Sequence, residues 1–299
     1  MNLGGGRGKS TAVARLELDE AGGELRVAEA RLRHGHRGSG EDREAGGDSL
    51  FRDEALVAYL ERWVDDETAV AINAPLTLPP CIRCTLPCPG VGRCEVPVVA
   101  WMRRHADGLV RPGRSDPGKP SVTPYTQRAV DLLFMRAGLK PRESLGQGMG
   151  PLSARAVYLR RVLSPRLRLH ENLIEVHPPA TVIRLFGEAV EHRLRRADTA
   201  TIWELRKQIL AELPCGQDPA RGLGFRYVWP EVVVRSPHVF DAILCAHMVF
   251  LWAADSLRGP AELRDGRDAG VDAAIDALEL LWLEDGWIWI PRAPTPSAT

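Results

Sequence analysis

The sequence predicts an α/β protein, a mixed sheet flanked by helices, from three observations. An alternating run near the N-terminus reads as a β-hairpin, two short apolar runs read as buried central strands, and segments of helical spacing separate and follow them. Alternation puts every second side chain on one face of a sheet, whereas a strand covered on both faces needs apolar residues at every position.

The hairpin comes first. Thr11 to Leu18 (TAVARLEL) sets Ala12, Ala14, Leu16 and Leu18 against Val13, Arg15 and Glu17, DEAGGE turns the chain, and Leu25 to Leu32 (LRVAEARL) returns. Arg37 to Ser49 is rich in glycine and charge and reads as a loop. Asp53 to Trp63 has helical spacing in Leu56, Tyr59, Leu60 and Trp63. Thr68 to Ile72 (TAVAI) is the first buried strand, stopped by Asn73-Ala74-Pro75. Asn73 thereby falls at the carboxyl end of a central strand, where open α/β sheets place their ligands.

Thr77 to Leu169 reads mostly as loop and helix, with helices around Val98 to His105, after Pro124 and after Pro151. Leu173 to Val176 (LIEV) is the second buried strand, stopped by His177-Pro178-Pro179. Helices follow around Thr181 to Arg195 and Thr199 to Leu213. Ser236-Pro237 then supplies a capping hydroxyl and a proline at the first helical position, opening a long apolar helix. DGWIWIP reads as a short edge strand. The expectation is one domain over 1–290, with an insertion at about 77–169 and a disordered tail at 291–299.

Composition narrows the classes. With 299 residues, 44% hydrophobic and 26% charged, the chain has the makings of an ordinary core. A formal net charge of +0 removes any global field toward nucleic acid or membrane, leaving only local patches. No basic stretch leads into an apolar run at the N-terminus, and the most apolar stretch, Ile243 to Ala254, is short and contains His247. The expectation is a soluble, cytoplasmic protein with no membrane partner.

GGGRGKST suggests an ATPase phosphate loop, but the pattern requires glycine where Leu3 stands, and strand alternation follows Ser10 where a helix is needed. It reads as a hairpin turn. Its consecutive N–H groups can form an anion nest, with Arg7 and Lys9 as candidate substrate contacts. The glycines at 146, 148 and 150 read as a tight turn, and Arg128 with Asp131 as an exposed ion pair within a helix.

Cys81, Cys84, Cys88 and Cys94 fall in a C-x2-C-x3-C-x5-C pattern on a Pro/Gly-rich segment. Thiolates this close in sequence can reach one tetrahedral centre, which suits an iron–sulfur cluster or zinc; free thiols or a disulfide are the alternatives. Cys215 reads as a surface thiol and Cys245 as a small core residue.

In order and spacing, the glycine-rich turn at Asn2 to Gly6, INAPL, IEVHP and the late FDA resemble the family called domain of unknown function 429. Its members are predicted nucleases of the ribonuclease H-like fold. The resemblance implies a ribonuclease H-like mixed sheet, an N-terminal antiparallel hairpin followed by central strands. It also implies a metal-dependent phosphodiester hydrolase that acts on or binds nucleic acid, using Mg²⁺ or Mn²⁺ held by carboxylates. The family pattern favours Asp where this chain has Asn2 and again where it has Asn73. Asp241 keeps its acid, and Glu175 on the neighbouring strand is a further candidate. Asp241 also has a structural reading, as an acid near a helix start with His238 on the same face. The two asparagines point to a degenerate site. A non-catalytic binding or assembly protein of the same fold is the alternative, and an actin-like phosphotransferase using the glycine-rich turn is a further one.

Overall fold

Two mixed sheets meet at one residue, and that meeting point positions everything else. A computed structural model describes residues 1–5, 9–19, 24–32, 50–109, 122–146, 148–215, 223–225, 228, 230–264 and 268–292. In chain order the elements are β1 (Val13–Asp19), β2 (Glu24–Arg31), α1 (Asp53–Trp63), β3 (Val70–Ile72), α2 (Pro80–Arg83), α3 (Pro97–Leu109), α4 (Ala129–Arg136) and α5 (Gly150–Val162). Then come β4 (Leu173–Val176), α6 (Pro178–Phe186), α7 (Glu188–Arg196), α8 (Thr199–Glu212), β5 (Gly224–Phe225), α9 (Pro230–Arg235) and α10 (Pro237–Ala253). The chain closes with β6 (Leu257–Arg258), α11 (Ala269–Asp276), α12 (Leu281–Asp285) and β7 (Ile288–Pro291).

The first sheet has the order β1-β2-β5 and the second β3-β4-β7-β6. β1 and β2 are antiparallel, with a register shift between Arg15 and Leu16, while β3, β4 and β7 run parallel to one another. Asn2 joins the sheets: it bridges Ala12 antiparallel and Asn73 parallel. Its N–H and carbonyl both bond Ala12, each at 2.9 Å, and the Asn73 N–H donates to Met1 at 3.0 Å. The residues flanking the glycine-rich segment, Asn2 and Ala12, therefore pair antiparallel, and a strand follows, as the alternation after Ser10 predicts. Its Gly6, Arg7 and Gly8 lie outside the described residues, as do residues 20–23, all of the expected loop at 37–49, residues 110–121 and the tail from 293.

Alternation assigns the faces. Val13, Ile72 and Leu173 pack with Leu56, Leu60 and Leu159 beneath α1 and α5. Ala12, Leu25 and Val27 pack with Val239, Phe240 and Ile243 of α10 on the opposite face. Ala71, Ile174 and Val176 continue that second face over Cys245 and Met248. α3, α4 and α11 form a further core around Trp101, Phe134 and Trp287.

Local signals account for most boundaries. Ser236 accepts from the Val239 N–H and Pro237 opens α10, as a cap-plus-proline start requires. The single helix expected over Thr181 to Arg195 is two, α6 and α7, because Gly187 adopts φ 92°, a left-handed conformation that ends a helix. Gly148, at φ 75°, likewise makes the tight turn before α5. Two further corrections concern position. β7 is not an edge strand: it lies between β4 and β6. Cys215 is buried at 3% exposure among apolar side chains of α8 and α9, not at the surface. Among the described residues no helix is long and apolar enough to cross a membrane.

Candidate functional site

Met1 and Leu3 point to the α1/α5 face, so the side chain of Asn2 between them points to the α10 face. By the same parity Asn73 follows Ala71 to that side. The two side chains meet: Asn73 Nδ2 donates to Asn2 Oδ1 at 2.8 Å. Asn2 Nδ2 is 3.2 Å from His238 Nδ1 and 3.2 Å from the Ser10 carbonyl, which accepts from it. With Asn2 as the donor, His238 is the neutral tautomer that leaves Nδ1 as acceptor. Burial first, and the Arg206 charge second, keep the His238 pKa below its usual value, in agreement.

Asp241 stands one turn beyond His238 on the same stripe of α10, with Cys245 one turn further, packed against Ala71. The acid is half-buried, and burial raises its pKa from 3.8 to about 7 against the pull of Arg206. Arg206 itself donates to the Val234 carbonyl at 2.7 Å and stacks 5.5 Å from the Phe240 ring, so its charge acts on Asp241 from the side. Asn2 and Asn73 thus meet at the junction of the sheets, at the carboxyl end of β3, with His238 of α10 against Asn2 and Asp241 one turn further along that helix.

Glu175 is elsewhere. It alternates with Ile174 and Val176, which face α10, and so it faces away from Asp241. Arg128 Nη1 and Nη2 donate to its two carboxylate oxygens, each at 2.7 Å, and the Leu76 N–H donates at 2.8 Å. Arg128 also bonds Asp131 Oδ1 at 3.0 Å and Thr77 at 2.9 Å. The Arg128–Asp131 pair is fully buried, correcting the exposed ion pair the helical spacing suggests. Burial opposes the Arg128 charge, but Asp131 and Glu175 together outweigh it and hold its pKa above the usual guanidinium value. Burial raises Glu175 above the usual carboxylate range, with Arg128 pulling the other way. A buried guanidinium bidentate to one acid and bonded to a second is an anchor: it ties the segment after β3 to β4 and α4.

The anchor extends to the C-terminal segment. The Thr77 hydroxyl donates to the Asp285 carbonyl at 2.5 Å, and Asp285 Oδ2 accepts the Ala129 N–H at 2.6 Å. Sequence reasoning missed Asp285 and also Arg155. Arg155 is buried and donates to the Gly4 carbonyl at 2.8 Å, Thr11 Oγ1 at 2.7 Å and the Phe51 carbonyl at 2.8 Å, clamping the base of the glycine-rich turn. The one signal available for Arg155 was its place on the apolar side of a helix, where a charge needs partners. Lys9 is exposed in the turn, and Arg7 lies outside the described residues.

The four cysteines line one cleft of about 790 Å³ between α2, α3 and α12. All are free thiols; Cys94 is buried, Cys81 half-buried, and Cys84 and Cys88 exposed. Among the described residues no three His, Cys, Asp or Glu side chains stand closely enough together to hold a metal ion.

No curated protein and no solved structure matches the chain. The family model described as protein of unknown function (DUF429) matches residues 8–283, from the glycine-rich segment into α12, and the chain belongs to that family.

Proposed function

We propose that this protein is a ribonuclease H-like member of its family that binds nucleic acid at the junction of its sheets, through a catalytic site that has lost most of its charge. The strand order supports the fold: β2, β1, the Asn2 segment, β3 and β4 lie side by side, the first three antiparallel and the last two parallel to Asn2. Helices cover both faces. The observation that carries the function is the meeting of Asn2 and Asn73 with His238 of α10 at the carboxyl end of β3, one helical turn from Asp241.

The donor set fits Mg²⁺ or Mn²⁺ poorly. Such hard ions bind through oxygen ligands, and their affinity rises with ligand charge. Here two of the three groups are neutral amides already bonded to each other, and the third is a carboxyl with a pKa of about 7. No step through a metal is assigned. The same loss of charge favours binding, because two aspartates without their ions would repel a phosphodiester and two amides do not.

Fluorescence anisotropy with labelled single- and double-stranded oligonucleotides, run beside a cleavage assay in Mg²⁺ or Mn²⁺, tests the reading. Binding without cleavage is expected. The Asn2→Asp/Asn73→Asp variant is expected to gain Mn²⁺ binding by calorimetry and to bind oligonucleotide more weakly without divalent ions. Absence of binding to every oligonucleotide would overturn the proposal. Cleavage by the natural sequence that disappears in Asp241→Ala would replace it with a working nuclease.

A further inference from the structure

The cysteine cleft has no part in that site, and its construction is unusual for a loop of idle thiols. Its first and last cysteines are set by fixed backbone. The Cys81 N–H donates to the Pro124 carbonyl at 3.0 Å, and the Cys94 carbonyl accepts from Arg103 Nη1 at 2.9 Å. Arg103 holds the Val91 carbonyl as well, also at 2.9 Å, so the turn leading into Cys94 is clamped from α3. Cys84 closes α2, its N–H donating to Pro80 at 3.0 Å. Cys88, between Pro87 and Pro89, completes the rim.

All four sulfurs therefore belong to one concavity, two on its fixed wall and two on its open side. Ile82 and Leu86, on the same segment, are 50% and 67% exposed, the pattern of a segment left open on its outer side. Arg83 and Arg93 line the cleft and Arg103 stands behind Cys94. Thiolate is the form that binds metal, and metal binding itself displaces the thiol protons.

We propose that Cys81, Cys84, Cys88 and Cys94 form a four-thiolate metal centre, zinc or an iron–sulfur cluster, completed when the exposed Cys84 and Cys88 close over the cleft onto Cys81 and Cys94. Soft sulfur donors select both groups, and a four-cysteine sphere is coordinatively closed, so the centre orders structure and takes no substrate. What it orders is visible in Arg83. This side chain leaves the cleft to donate to the Glu284 carbonyl at 2.8 Å and to Asp285 Oδ1 at 2.6 Å. Asp285 in turn holds the α4 N-terminus and the segment after β3. Metal binding therefore stiffens the support of the sheet junction without touching it. The centre stands independently of nucleic acid binding.

Anaerobic purification, followed by zinc, iron and acid-labile sulfide analysis and a visible spectrum, tests the centre, with in vitro loading by Zn²⁺ or by iron and sulfide as a second arm. About one centre per chain is expected. Colour with iron and equimolar sulfide identifies the cluster, and colourless zinc-bearing protein identifies zinc; either upholds the proposal. Cys84→Ser/Cys88→Ser should lose the metal and keep its circular dichroism spectrum, because both side chains are exposed. Protein that is metal-free as isolated and takes up neither metal on loading overturns the proposal. So does metal retained in full by the double variant.

Discussion

Asp241 shows how the state of one residue follows from its place. It is the fifth residue of the long helix α10, one turn beyond His238, and burial raises its pKa from 3.8 to about 7. A raised acid stabilises the fold only while protonated. Its contribution is complete below pH 4, declines as pH rises through about 7, and above that the ionised carboxylate is a standing cost. One pKa unit corresponds to about 1.4 kcal/mol, and water reaching the half-buried carboxyl reduces the effect. Asp241→Asn is therefore expected to stabilise the protein by about 2 kcal/mol at pH 8 and to change little at pH 4. Thermal unfolding at the two pH values measures this; an equal shift at both would mean the carboxyl is not the source. Arg128 teaches the complementary lesson about reading a sequence. Three residues separate it from Asp131, which suggests a surface pair, but its principal partner, Glu175, is 47 residues away, and only the fold brings that acid to it.

Among the elements, the glycine-rich turn carries the tightest geometric demand. A Cβ on Gly4 would stand 2.6 Å from Ser10 Oγ and 2.8 Å from the Thr11 nitrogen, while one on Gly5 would meet nothing within 4 Å. The Gly4 N–H is bonded to Thr11 Oγ1 at 3.0 Å and its carbonyl to Arg155, so the backbone cannot easily move aside. Gly4→Ala is expected to cost about 1–3 kcal/mol, and Gly5→Ala less than about 0.5 kcal/mol. Urea denaturation of the two variants makes the comparison, and equal losses would show that the turn yields freely. Much at this scale was legible in sequence. Alternation located β1 and β2, continuous apolar runs located β3 and β4, and Ser236-Pro237 marked the start of α10. The facing of Asn2 and Asn73 was not legible, since a bridge of one residue leaves no periodic trace. Nor was the break at Gly187, because a glycine inside an apolar pattern signals a cost and not by itself a stop.

For the whole molecule, the last strand matters most. An apolar run near the end of a chain reads as an edge strand, because nothing in its own pattern says what lies beyond it. β7 in fact pairs in parallel with β4 and antiparallel with β6, and so closes the sheet that holds Asn73 and Glu175. Trp287, fully buried just before it, packs edge-on at 5.4 Å from Phe134, and its indole N–H donates to the Arg258 carbonyl at 3.0 Å. Asp285 adds the link to Arg83 and α4 described above. An edge strand could be cut away at the cost of its own contacts. An interior strand cannot, since its removal leaves the β4 backbone unpaired on one side and opens the core around Phe134 and Ile290. Ending the chain at Asp285 is therefore expected to abolish cooperative unfolding, whereas Trp287→Ala, which keeps the backbone pairing, is expected to cost about 3–5 kcal/mol and remain two-state. Near-ultraviolet circular dichroism through a thermal ramp distinguishes these outcomes. A truncated chain that still unfolds in one sharp transition would place β7 outside the cooperative unit and leave the β3–β4 pair to stand without it.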